Sequence, residues 1–198
     1  MSRPAPADER HVSGLRRSGR SPLQWWPVAT GLALGLFSIA TDDPNTIDGI
    51  LPVLVIATTC YALIAFTGRT TWSWPITGLF AVVYLAADAA SLPAAVILVG
   101  VTVVAVGVGI ASGRWRPPPP EMGWQPWGAT VFHAAAIGAL FLDVTVAKVV
   151  IAVGLLLHGA WDIAHWRRQA VVSRSLAEWC AALDISLGIG VLALVAFT

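Results

Sequence analysis

The sequence predicts an all-α, polytopic transmembrane bundle of seven helices, or of six with one segment re-entrant. Three observations predict it. The residues are 57% hydrophobic and only 12% charged, where soluble domains carry about 25% charged residues. Mean hydropathy is +0.74. The apolar residues fall in long runs parted by short polar or Pro-containing breaks. A helix needs about 20 such residues to cross the hydrocarbon core, and a helix satisfies its backbone polar groups within its own segment.

Residues 1–24 are polar, basic and rich in Pro, Gly and Ser. They read as a disordered cytoplasmic arm, and 25–198 as one transmembrane domain. A cleavable signal peptide is not expected, because about 24 polar residues precede the first apolar run. The predicted spans are 25–41, 47–67, 72–90, 92–112, 126–142, 144–166 and 175–197. The third and fourth meet at Ser91-Leu92-Pro93, where the residue before proline resists helix. The fifth and sixth nearly touch at Leu142-Asp143, and that tightness keeps the six-span count open. The inner loop, 114–126, contains a run of four prolines that favours polyproline II. Trp115, Trp124 and Trp127 are expected to lay it on the membrane surface. Gly31 with Gly35, and Gly109 with Gly113, are small-xxx-small patterns that allow close helix packing.

Seven spans put every arginine on one side, which the positive-inside rule makes cytoplasmic. Asp42, Asp43, Asp48, Asp88, Asp143 and the single lysine, Lys148, fall on the other. Lys148 is expected to snorkel there. The N-terminus is thus inside and the C-terminus outside, in a multi-pass protein of the cell membrane. All ten tryptophans fall in the cytoplasmic half, where indoles favour the headgroup zone. The net charge of +1 gives no argument for nucleic acid. The expected partners are the bilayer, a lipid-like substrate, and a second copy or another membrane protein. Cys60 and Cys180 sit singly in apolar runs and form neither a disulfide framework nor a zinc ribbon.

One stretch, HGAWDIAHWRR at 158–168, interrupts this oil-like chain with ionisable groups. His158, Asp162 and His165 are spaced i, i+4 and i+7, on one helical face. Exposing such groups to lipid costs about 2.5–3.5 kcal/mol each on insertion scales, so that face looks inward. From the 1.5 Å rise, Asp162 lies about 9 Å and His158 about 15 Å below Arg168. Counted from Arg174, Asp184 also lies about 15 Å deep, and His133 about 9 Å below Trp127. His158 and Asp184 therefore share a level, as do Asp162 and His133. Glu178 follows Ser175 by three residues, the spacing of a capping box.

Imidazole and carboxylate suit zinc and similar divalent metals. The predicted metal ligands are His158, Asp162, His165, His133 and Asp184, with His158, Asp162 and Asp184 as the catalytic core. One metal does not take both His158 and His165, which stand about 10.5 Å apart along the axis. A three-ligand site leaves a position for water, whose pKa the metal lowers towards about 7. Such a hydroxide could attack an ester, amide or phosphate linkage of a lipid or amphiphile. Two other readings stand beside this one. The groups form a structural network or proton relay in a non-catalytic subunit or small transporter. Alternatively, His133 with His158 or His165 are axial ligands of a haem.

In topology and residue type the chain resembles the membrane hydrolase superfamily of adiponectin receptors and alkaline ceramidases. Those proteins hold zinc with histidines from early and late helices, so the resemblance implies a zinc-dependent hydrolase. Here the second helix has no His and the last helix no His pair. The likeness rests on no shared motif.

Overall fold

In the computed structural model, residues 22–116 and 120–197 are described. All regular structure among them is helical. A 3-10 turn at Pro22–Trp25 leads into α1, Trp26–Ala40. Then come α2, Leu51–Thr67, and α3, Ser73–Ala89, the latter led by a 3-10 turn at Thr70–Trp72. They are followed by α4, Ala94–Ala111; α5, Gln125–Ala139; α6, Val144–Arg168; and α7, Arg174–Phe197. Four stretches are long and apolar enough to cross a membrane: Leu23–Ala40, Ala94–Ala111, Val144–Arg168 and Arg174–Phe197. Leu51–Thr67 is a shorter apolar helix. The expected arm lies outside the described residues up to position 21.

The breaks follow local chemistry. α2 ends on Gly68 at φ 65°, the left-handed C-cap that glycine adopts without strain. Leu92-Pro93 parts α3 from α4 as expected. The tight junction at 142–143 is a true helix boundary: the Asp143 side chain accepts from Thr145 N at 2.9 Å and caps α6.

α2 is the axis of the bundle. It is apolar on all sides and buried along most of its length, as a helix in a core must be. It touches α3, α4, α5, α6 and α7. α7 lies between α6 and α1. There Gly31 and Gly35 are needed, since a Cβ at either would strike the Trp179 carbonyl or the Ser186 hydroxyl of α7. The Gly109–Gly113 pattern serves differently: Gly109 backs onto the Trp115 ring, not onto another helix. Outward, the bundle shows apolar side chains such as Leu36, Phe37, Val82 and Val104.

Several expectations are corrected here. Lys148 does not snorkel. Its side chain is 5% exposed and pairs with Asp42, which the α1–α2 loop folds back over it, while Nζ also donates to the Asp43 carbonyl at 2.7 Å. Trp115 does not lie on the surface; it is buried, its Nε1 donating to the Val106 carbonyl at 3.1 Å. Trp127, by contrast, is 75% exposed. Pro120 opens a 3-10 turn, Pro120–Trp124, while the polyproline II expected for 117–119 lies outside the described residues. The first turn of α7 is capped by Ser173, whose hydroxyl accepts from Leu176 N, and not by a Ser175–Glu178 box. Glu178 instead accepts from Trp166 Nε1 at 2.5 Å and Arg174 Nε at 3.1 Å.

Candidate functional site

α6 and α7 are joined by a short link, so they run antiparallel and side by side. This brings His158 opposite Asp184. His158 Nδ1 donates to Asp184 Oδ2 at 2.7 Å, joining the two helices. Asp162, one turn along α6, places Oδ2 3.4 Å from the same Nδ1. Ligand atoms of these three residues all lie within 4.8 Å of one another. His158 is 1% exposed and both aspartates 0%.

Aromatic rings enclose the cluster. Tyr61 of α2 stands edge-on between His158, at 5.3 Å, and His165, at 5.1 Å. Phe132 of α5 meets the His158 ring at 5.0 Å. Four buried polar atoms here lack hydrogen bonds, both Asp162 oxygens, Asp184 Oδ1 and the Tyr61 hydroxyl, against two elsewhere among the described residues, Asp42 Oδ1 and the Thr58 hydroxyl. Buried polar groups in proteins are nearly always partnered, so this concentration singles the cluster out.

His165 and His133 do not join it. His165 is buried. Its Nδ1 donates to the Trp161 carbonyl at 2.8 Å, and its Nε2 accepts from Gln125 Nε2 at 2.9 Å. His133 Nδ1 donates to the Ala129 carbonyl at 2.8 Å, and its Nε2 accepts from Thr59 at 3.2 Å. Thr102 of α4 in turn donates to Thr59 at 3.2 Å. Each ring thus has both nitrogens engaged, and neither offers a lone pair to a metal or haem iron in this arrangement. Of five expected metal ligands, three converge.

The chain matches no family model, no curated protein and no solved structure. Its chemistry is therefore read from the cluster itself.

Charge balance decides what the cluster can do. One imidazole offers at most one positive charge against two carboxylates. In an interior of low polarity a net charge is costly. The set is neutral only if at least one carboxyl holds a proton, or if a cation sits among the oxygens. Either way, neutrality requires a further positive charge among these three groups. Among the described residues the ion-pair neighbour of Asp162 is His158 and not an arginine.

Residues at the Arg168 end of α6 carry separate charges. Arg168 Nη1 donates to Glu121 Oε1 at 2.6 Å and stacks its guanidinium over Trp124. That hydrogen bond holds the Glu121 carboxyl below its ordinary value. Gln125 hangs from the Glu121 carbonyl at 3.1 Å while reaching His165. Sequence reasoning missed Gln125, Thr58 and Thr102. For Thr58 and Thr102 the only signal was a polar side chain inside an apolar run; Gln125, between Trp124 and Pro126 at the end of the Pro-rich loop, gave none.

Proposed function

We propose that this is an integral membrane protein of seven spans, N-terminus inside, with a cation-binding centre at His158, Asp162 and Asp184. The favoured cation is a divalent metal such as zinc. One observation carries the reading: three ligand-bearing side chains from two helices meet within 4.8 Å, with carboxylate oxygens left unbonded. The span count is supported by the 3-10 turn that precedes α3, which brings Thr70–Ala89 to the length a crossing requires, about 20 residues. The one-sided arginines support the orientation.

The 2.7 Å separation of His158 Nδ1 and Asp184 Oδ2 is a hydrogen-bond distance. Ligands each about 2.0–2.2 Å from a tetrahedral ion stand wider apart, at roughly 3.3 Å. Loading therefore requires Nδ1 to release its proton and the two groups to part by about half an ångström, which makes affinity fall with acidity. Catalysis on a lipid or amphiphile would be a further step. It needs the enclosing rings of Tyr61 or Phe132 to swing aside, because all three ligands are at most 1% exposed.

A second reading is favoured by the same hydrogen bond. His158 and Asp184 form an interhelical pair that passes a proton or simply locks α6 to α7. Elemental analysis of purified protein separates the two. The metal reading expects about one zinc per chain, lost in His158→Ala, Asp162→Asn and Asp184→Asn. Metal-free wild-type protein that still folds, after purification in zinc-supplemented buffer, would leave the proton or packing role.

A further inference from the structure

The furrow between α4 and α5 has features that the cation centre does not explain. Its inner part, a cleft of about 300 Å³, is lined by Val106, Ile110, Trp115, Arg116, Trp127 and Thr130. Its deeper part, about 430 Å³, shares Val106 and Thr130 and runs on past Gly107 and Val103 to Val99. The shared residues make the two parts one furrow. From Ile110 to Val99 it follows α4 for about 16 Å, close to one leaflet's share of a 30 Å hydrocarbon core. Where His133 and Thr102 line the deep end, their polar atoms bond inward to Thr59, Ala129 and Leu98. The floor offered to a ligand is thus largely carbon. At Gly107 nothing lies within 4 Å of where a Cβ would stand.

Charge marks the mouth. Arg116 is exposed and has no ion-pair partner among the described residues. Arg114, two residues away, lies over the Phe66 ring and donates to the Phe66 carbonyl, and it too has no acidic partner among the described residues. A guanidinium fork matches phosphate oxygens, and exposed Trp127 stands beside it at the interface. A choline headgroup would bring a third cation to two arginines, whereas an anionic headgroup brings none.

We propose that the α4–α5 furrow is a binding site for one anionic phospholipid of the cytoplasmic leaflet. Its phosphate sits on Arg116 and one acyl chain lies along Val106, Gly107 and Val103. This rests on the membrane-spanning reading of the chain and not on the cation centre.

The test is native mass spectrometry of the full chain in detergent, with dioleoylphosphatidylglycerol or dioleoylphosphatidylcholine added at equal concentration. Wild type should retain one phosphatidylglycerol, preferred about fivefold, since one arginine near an anionic surface contributes about that factor. Gly107→Leu should lose the retained lipid while eluting as a folded protein. Gly78→Leu, the same change at an open position on α3, should keep it. Arg116→Gln should retain both lipids equally. The proposal is overturned if wild type shows no preference, or if Gly107→Leu retains lipid like wild type. It is equally overturned if Gly107→Leu alters the oligomeric mass instead, which would make the furrow a contact between copies. Zinc measured in the same samples keeps failure here distinct from failure of the cation centre.

Discussion

Two buried charge clusters, one at the N-terminal end of α6 and one past its middle, solve the same problem in opposite ways. At the N-terminal end, Lys148 meets Asp42, and Nζ gains the Asp43 carbonyl as well. One cation faces one carboxylate and the loop is tied down. Further along, His158 faces two carboxylates, three of whose four oxygens lack a hydrogen bond. The first cluster is balanced in charge, one cation to one carboxylate, although Asp42 Oδ1 has no hydrogen bond. The second is balanced only by taking up a proton or a metal ion. Burial alone therefore does not distinguish the two clusters; the mismatch in charge does, and the proposed cation centre rests on it.

The sharpest way to break that contrast is to unbalance the first cluster. Lys148→Met leaves Asp42 buried without its cation and should cost about 3–5 kcal/mol, read as a fall in melting temperature. Adding Asp42→Leu should restore most of it, because an apolar pair can replace a buried ion pair. A comparable loss in both variants would mean that the loop needs the ions themselves.

At the second cluster, His158→Ala should cost about 2–3 kcal/mol, since it strips Asp184 of a charge-assisted hydrogen bond and leaves a cavity. Asp162→Asn should behave differently. It removes surplus negative charge with little change of shape, and should shift stability by less than about 1 kcal/mol. Denaturant unfolding of both variants in one detergent checks the asymmetry. Equal losses would show that Asp162 is an ordinary packing partner.

The smallest effect concerns the rim. Glu121 is held below its ordinary carboxylate value by Arg168, so the contribution is present above that value and lost as pH falls through the folded-state pKa. Melting curves from pH 6 down to pH 3 should show a steeper acid limb in wild type than in Arg168→Gln. Parallel limbs would remove the Arg168–Glu121 pair from the account.

Much of this architecture was legible before any coordinates. Apolar runs and Pro breaks located all seven helices. Helical rise alone put His158 level with Asp184, because two antiparallel helices joined by a short link fix each other's depth. What rise cannot supply is rotation. His133 shares a level with Asp162, yet α5 turns its imidazole to Thr59 and Ala129. His165 shares a face with Asp162, but Gln125 reaches it from a neighbouring helix. The fate of Lys148 depended on a loop folding back over the bundle, and local sequence spacing carries no trace of that. Tyr61 stands between two histidines only because α2 is the central helix.

The central claim is that an excess of carboxylate beside His158 draws in a cation. Calorimetric titration of zinc into metal-stripped protein, repeated in two buffers of different ionisation heat, measures it directly. The account predicts one zinc per chain, with protons released as His158 gives up its bond to Asp184, and no binding in Asp162→Asn. Absence of binding in wild type, or zinc uptake unchanged in both Asp162→Asn and His158→Ala, would contradict it.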